Sequence, residues 1–286
     1  MIKKRTERSA AFCALLFLKE RIPVSRFCPL FSSSSGNSIY IGTASDGILI
    51  DVGQSAKRTA QALCAMGIDP ASLRAVFVTH EHSDHVKGLR VFASQHRLPV
   101  YASNGTLAAL SDSGCLCDKF TASAVDWNGC EITGMFIKPF HTQHDCREGN
   151  GYRIEMPDGR SIAVATDLGE MTREVVEAIT GCDLVMLESN HDVDMLRSGS
   201  YPYVLKQRIL SKYGHLSNEV CAQTLASLVN KGTTRFVLGH LSIENNIPQL
   251  AYDTSARALL LEGAKEGRDY TMCVAPRLCP EEVIIF

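Results

Sequence analysis

The chain alternates short apolar runs with polar turns. Ile39 to Ile41, Gly47 to Val52, Ala75 to Val78, Pro99 to Ala102, Cys130 to Pro139, Gly151 to Glu155, Ser161 to Ala165, Asp183 to Leu187, Arg235 to Leu238 and Tyr270 to Val274 each have the length and composition of a buried strand. Between them apolar residues recur at helical spacing. Ala56, Ala60, Leu63 and Met66 predict a helix that Gly67 ends. Leu89, Val91 and Phe92 predict a second helix after Gly88, running to about His96, and Asn104 starts a third. Thr172 and Ser217 stand where N-caps belong, before helices to Ile179 and Asn230, and Pro248 to Leu261 completes the set. Pro157-Asp158-Gly159 reads as a hairpin turn. No linker and no repeat in register interrupts residues 26–286, so they predict one α/β domain.

The polar residues where apolar runs stop carry the chemistry. After Ala75 to Val78 comes Thr79-His80-Glu81-His82-Ser83-Asp84-His85, in which His80, His82, Asp84 and His85 are candidate metal ligands. Two imidazoles one residue apart can face one cavity, and the carboxylate-imidazole pair continues round the turn. This is more than one tetrahedral ion takes from one loop, so the spacing predicts two ions sharing a site. Asp51, His144, Asp167 and His240 also lie at the ends of runs. Loops at one rim of a sandwich would bring all of these together on rigid strands.

Composition narrows the picture. The 286 residues are 45% hydrophobic with net charge −2, enough for a sizeable core but no global field for nucleic acid. A polyanion partner would need a local patch. Residues 195–218 contain no acid and carry Arg197, Lys206, Arg208, Lys212 and His215, interleaved with Tyr201, Tyr203 and Tyr213. Lys206, Arg208 and Lys212 are therefore expected to contact phosphates, and the tyrosines to stack on bases or sugars. The eleven cysteines are odd in number and form no CxxC pair, which predicts reduced thiols and a cytoplasmic protein. Residues 1–25 begin with Lys3, Lys4, Arg5 and Arg8, followed by the apolar run Ala10 to Leu18. That run is too short to span a bilayer, and no small-x-small cleavage site follows. The segment is expected to be a dispensable extension, since a start at Val24 would leave a whole domain.

The HxHxDH loop, His144, Asp167 and His240 together resemble the metallo-β-lactamase fold superfamily over nearly all of residues 26–286. The resemblance implies a four-layer αββα sandwich. It further implies that His80, His82 and His144 bind one metal, that Asp84, His85 and His240 bind a second, and that Asp167 bridges them. His141 is the rival for His144. Asp167 stands where true β-lactamases typically have Cys, and His82 where flavodiiron proteins have a carboxylate. FCPLFSSSSGNS, THEHSDH, ATDLG, LESNHD, YGHLSN and GHLSIENN are similar to the YycJ/WalJ branch, which implies a cytosolic 5′→3′ exonuclease on double-stranded DNA.

The implied mechanism uses a hydroxide between two divalent ions, zinc first and manganese or iron as alternatives, to attack phosphorus in line. Glu188 and His215 occupy places similar to the Glu-His pair of tRNA 3′-processing endonucleases. His215, held by Glu188, would protonate the leaving oxygen. Asp84 is counted with these catalytic groups as well as with the ligands. Asp51 is expected to orient a ligand imidazole, and Asn37 and Ser38 to contact substrate. A small-molecule hydrolase acting on a thioester, lactone or cyclic phosphodiester is the alternative, and a non-enzymatic scaffold that retains a metal is the third reading. No membrane partner is expected.

Overall fold

The computed structural model describes residues 23–278 and 282–286. The basic-then-apolar start of the chain, and with it most of the expected extension, lies outside the described residues. Ser25 already belongs to the packed body, since its amide and hydroxyl donate to the Asp158 carboxylate at 2.8 and 2.7 Å.

The first half of the chain forms β1 (Arg26–Phe31), β2 (Ser38–Gly42), β3 (Gly47–Ile50), α1 (Ala56–Ala65), β4 (Leu73–Phe77), α2 (Ser83–Val86), α3 (Leu89–His96), β5 (Val100–Ala102), α4 (Asn104–Asp112) and β6 (Ala122–Ala124). The second half forms β7 (Cys130–Ile132), β8 (Met135–His141), β9 (Asn150–Glu155), β10 (Ser161–Ala165), α5 (Arg173–Ile179), β11 (Leu184–Glu188), α6 (Val193–Ser198), α7 (Tyr203–Ile209), α8 (Asn218–Val229), β12 (Arg235–Gly239), α9 (Pro248–Leu261), β13 (Thr271–Val274) and β14 (Ile284–Ile285).

Among the described residues these strands make two seven-stranded sheets, ordered β14-β1-β2-β3-β4-β5-β6 and β13-β12-β11-β10-β9-β8-β7. Every residue of β2, β3, β10 and β11 is buried, so both faces of each sheet need a cover. Three apolar clusters supply it. Phe27, Ile41, Phe77, Tyr152, Ile154 and Val164 fill the space between the sheets. Leu49 and Val76 pack outward against Leu63, Phe92 and Leu110 of α1, α3 and α4. Ala165 and Leu187 pack outward against Val175, Leu225 and Leu259 of α5, α8 and α9. Each large side chain buried in this way contributes roughly 1.5–3 kcal/mol. The result is the four-layer αββα sandwich.

The topology gathers strand ends at one rim. β10, β11, β12 and β13 run parallel, as do β3, β4 and β5. β8 is antiparallel to β9 and β9 to β10, so β8 ends at the same rim as β10. Two local readings of the sequence need correction. Cys130 to Pro139 is a hairpin rather than one strand, because Thr133 and Gly134 both take positive φ (49° and 79°) between the paired Ile132 and Met135. The acid-free stretch, to which the apolar pattern assigns no helix before Ser217, contains the end of α6 and all of α7.

Candidate metal centre

The loop after β4 is clamped from behind. The amides of Asn37 and Val52 donate to the carbonyls of Asp84 and His85 at 2.7 and 2.9 Å. Gly53 lies so close that a Cβ there would sit 1.7 Å from the Asp84 carbonyl oxygen, which is why a glycine is needed. α2 then presents Asp84 and His85 from a single turn. The other candidates come from the ends of β10, β11 and β12 and from the loop after β8. Asp51, Asp167 and His240 take left-handed backbone conformations, with φ of 62°, 59° and 54°. Each such turn costs a non-glycine residue about 1–2 kcal/mol. Here they are held by hydrogen bonds such as Asp51 N to the Phe77 carbonyl and His240 N to Ser32 Oγ, both 2.8 Å.

Two triads meet at the rim. His80, His82 and His144 offer ligand atoms all within 4.8 Å of one another, and so do Asp84, His85 and His240. Asp167 lies between them. Its Oδ1 is 3.3 Å from His240 Nε2 and 3.8 Å from His144 Nε2, and its Oδ2 is 3.5 Å from His85 Nε2. His141 is not part of this cluster. Its ring stacks on Trp127, and its Nδ1 lies 3.0 Å from Glu174 Oε1, whereas His144 lies with His80 and His82.

Nδ1 of His80, His85, His144 and His240 meets a protein partner, which orients each ring. His85 Nδ1 lies 2.7 Å from Asp51 Oδ2, His144 Nδ1 donates to the Gly214 carbonyl at 2.9 Å, and His240 Nδ1 lies 3.3 Å from Asn37 Oδ1. Thr79, which the sequence pattern does not single out, ties these partners together. Its amide and hydroxyl both donate to Asp51 at 2.8 Å, and the hydroxyl lies 3.0 Å from His80 Nδ1. Burial, helped by the neighbouring His85, holds the His80 pKa well below the usual imidazole value, so its lone pair is free for a cation. Burial opposes ionisation of Asp167, but His240, His85, His80 and His144 outweigh it and keep the carboxyl well below the usual range.

These residues fit a pair of divalent cations. His80 Nε2 and Asp167 Oδ2 are buried with no hydrogen-bond partner. Leaving such atoms unpaired costs roughly 1–3 kcal/mol each, more for a charged group, and a cation would satisfy both. Imidazole nitrogens and carboxylate oxygens are the donors such ions take.

Beside the triads stands the Glu188-His215 pair. Glu188 is fully buried, and its Oε2 accepts from the amides of Leu168 and Leu216 at 2.8 and 3.1 Å. Its Oε1 lies 2.7 Å from His215 Nδ1. Burial alone would lower the His215 pKa, but the Glu188 carboxylate outweighs it and the value is pushed up to about 9. His215 lines a cavity of about 180 Å³ together with His144, His240, Asn190, Tyr201 and Arg208.

The remaining predicted residues divide. Asn37 is buried and spans the second triad, its Nδ2 lying 3.2 Å from Asp84 Oδ2 and 3.0 Å from His85 Nε2, so it positions ligands. Ser38 is fully buried with its hydroxyl donated to the Asp51 carbonyl, which leaves no surface for a substrate and corrects that expectation. Lys206 also departs from the expectation, because its ammonium donates to the carbonyls of Arg197 and Gly199 at the end of α6. Arg208 pairs with Asp145 at the cavity, and Lys212 is exposed beside Tyr213. Asn190, which sequence reasoning misses, donates to the His240 carbonyl at 2.8 Å. His191 is buried with neither ring nitrogen hydrogen-bonded.

A beta-lactamase superfamily domain matches residues 47–241. The chain belongs to the β-lactamase superfamily and has the metallo-β-lactamase fold. Within that superfamily it is 36% identical over 248 residues to the exodeoxyribonuclease WalJ of Streptococcus pneumoniae serotype 2, covering 86% of this chain and 92% of the relative. It is 35% identical over 247 residues to the exodeoxyribonuclease YycJ of Bacillus anthracis, covering 85% and 92%. The metallo-β-lactamase fold protein YhfI of Bacillus subtilis superimposes with a TM-score of 0.67 at 13% identity, over 92% of this chain and 100% of that one, a likeness of fold.

Proposed function

We propose that this superfamily member is a dinuclear metal-dependent phosphodiesterase that degrades double-stranded DNA as a 5′→3′ exonuclease. The observation that carries the reading is the pairing of two ligand triads about Asp167 with His215, held by the buried Glu188 carboxylate, facing the same cavity. The exodeoxyribonuclease relatives supply the substrate class, and the sequence resemblance supplies the polarity and the duplex preference.

His80, His82 and His144 would hold one cation, Asp84, His85 and His240 the other, and Asp167 would serve both. Divalent cations bound there lower the pKa of water toward neutrality and offset the charge that builds on the phosphoryl oxygens. The chain's own groups do the rest. Asp51 and Asn37 fix the second triad through Nδ1 of His85 and His240. Burial opposes ionisation of Asp84, but the neighbouring His85 outweighs it and keeps the carboxyl below the usual range. His215 donates its Nε2 proton to the departing sugar oxygen, while the buried Glu188 carboxylate holds Nδ1 and stabilises the imidazolium. Arg208 at the cavity and Lys212 at its margin meet backbone phosphates.

Zinc suits a donor set this rich in nitrogen, with manganese or iron drawn to the carboxylate oxygens. A cytoplasmic location agrees with the buried thiols of Cys28, Cys182 and Cys221. Among the described residues no helix is long and apolar enough to cross a membrane.

A duplex labelled differently at its 5′ and 3′ ends tests the proposal. Stepwise loss of the 5′ label as mononucleotides, abolished in His215→Ala and in a metal-stripped sample, is the expected result. Thioester or lactone turnover with an intact duplex would replace it with the small-molecule reading.

A further inference from the structure

The fold turns His141 away from the metal ligands and into a second cavity. That cavity, 440 Å³, lies on the outer face of β8 and β9 beside α5. Its wall is a stacked pair, with the His141 and Trp127 rings 3.8 Å apart between centroids and inclined by 15°. Glu174 fixes His141, accepting from its backbone amide at 2.9 Å and lying 3.0 Å from Nδ1. The exposed Lys138 also lines the cavity, as do Arg153 and Glu177. Arg153 donates to the carbonyls of Ala178 and Thr180 and to Glu155. The two cations and the two acids balance, so the cavity has no excess positive charge to attract a phosphate. A flat neutral ring with donors and acceptors on its edge fits it, because aromatic faces stack on any base.

Position joins this cavity to the metal centre. His141 closes β8 at the rim where the triads sit, and it precedes His144 by three residues. Three residues span at most about 11 Å, or about three nucleotides at the ~3.4 Å rise of a stacked strand. The connecting loop is pinned by Thr142 N to the Gly149 carbonyl at 3.0 Å and Gly169 N to the Gln143 carbonyl at 2.7 Å.

We infer that the Trp127-His141 cavity is a nucleobase subsite for the DNA strand engaged at the metal centre, taking an unpaired base within about three nucleotides of the scissile phosphate. The inference rests on the phosphodiesterase reading.

Trp127 is the chain's only tryptophan, so tryptophan emission, excited at the red edge where tyrosine does not absorb, reports on this cavity alone. The metal-loaded full chain would be titrated with a dye-labelled, 5′-phosphorylated duplex carrying a short single-stranded tail and cleavage-resistant phosphorothioate linkages. Dye anisotropy reads binding to the protein, and tryptophan emission reads arrival of a base. The expected result is quenching that saturates with the anisotropy and disappears when nucleotides near the scissile linkage are made abasic. Trp127→Leu should weaken binding by about 5- to 100-fold, with Trp127→Phe retaining most of the affinity. Binding with unchanged emission, or quenching that survives the abasic change, overturns the subsite and leaves the phosphodiesterase reading standing. No anisotropy change at micromolar DNA overturns the DNA reading and the subsite with it.

Discussion

The strand-end centre and the helical flank face the same cavity but are built on opposite terms. At the centre, His80, His85, Asp167, Glu188 and His240 are each no more than 3% exposed, and almost every polar atom not aimed at the cavity has a partner in the protein. In the flank, α7 buries no residue fully, and Tyr203 and Val204 are 75% and 79% exposed. Buried anchors fix a geometry to fractions of an ångström, as catalysis by paired cations requires. Exposed side chains fix little, yet they adapt to a long polyanion. The chemistry should therefore be brittle to mutation and the substrate-binding surface tolerant.

The largest test of that contrast is Asp167→Asn, which removes the carboxylate both triads share. It should cost more than the ~10–100-fold typical of outer partners and release both cations, read by kcat and by metal analysis of the desalted protein. Asp51→Asn comes next. It should lower metal affinity by about 10–100-fold at the His85 triad while the His82 triad keeps its ion, so a chelator competition would resolve one tight and one weak site.

Glu188→Gln moves a pH limb. In the proposed mechanism His215 acts as a protonated acid, and, against the effect of burial, Glu188 raises its folded pKa to about 9. Protonation of His215, and the stability that this pairing adds, is therefore complete below the ordinary imidazole value of about 6.5 and is lost as pH rises through the folded value, which sets the alkaline limb of activity. Bound cations pull the imidazolium down in both proteins, so the difference between them is what counts. The alkaline limb of kcat should fall at lower pH in Glu188→Gln than in the wild type. Identical limbs would detach Glu188 from the acid.

The smallest effect belongs to the flank. Arg208→Ala with Lys212→Ala should weaken DNA binding several-fold and flatten the salt dependence, by about one unit of slope for each phosphate that goes unneutralised. Lys206→Ala should leave the slope alone and lower the melting temperature by a few degrees, since it anchors carbonyls. A flank variant as damaging as Asp167→Asn would break the comparison.

How much of this the chain reveals by itself follows the range of the interactions. The His80 to His85 loop is legible because its spacing is local and follows an apolar run. Strand-end placement points to Asp51, and the resemblance places His144, Asp167 and His240 in the two ligand sets. Asn37 reads as a substrate contact because its true partners, Asp84 and His240, are 47 and 203 residues away. The left-handed turns at Asp51, Asp167 and His240 leave no mark in composition, since such strain exists only where tertiary packing imposes it. Thr133-Gly134 hides inside an apolar stretch, although a two-residue loop ending in glycine is a hairpin signal. α6 is only 6 residues long, and α7 offers only Leu205 and Ile209 at helical spacing while Tyr203 and Val204 face solvent, so neither helix stands out in the pattern.

Two cations about 3.5–4 Å apart are the core of the account. Anomalous diffraction from a crystal soaked with a divalent metal measures them directly. The expected map has two peaks, one at His80, His82 and His144, the other at Asp84, His85 and His240, with Asp167 touching both. A single peak, or two peaks that leave Asp167 uncoordinated, would contradict it.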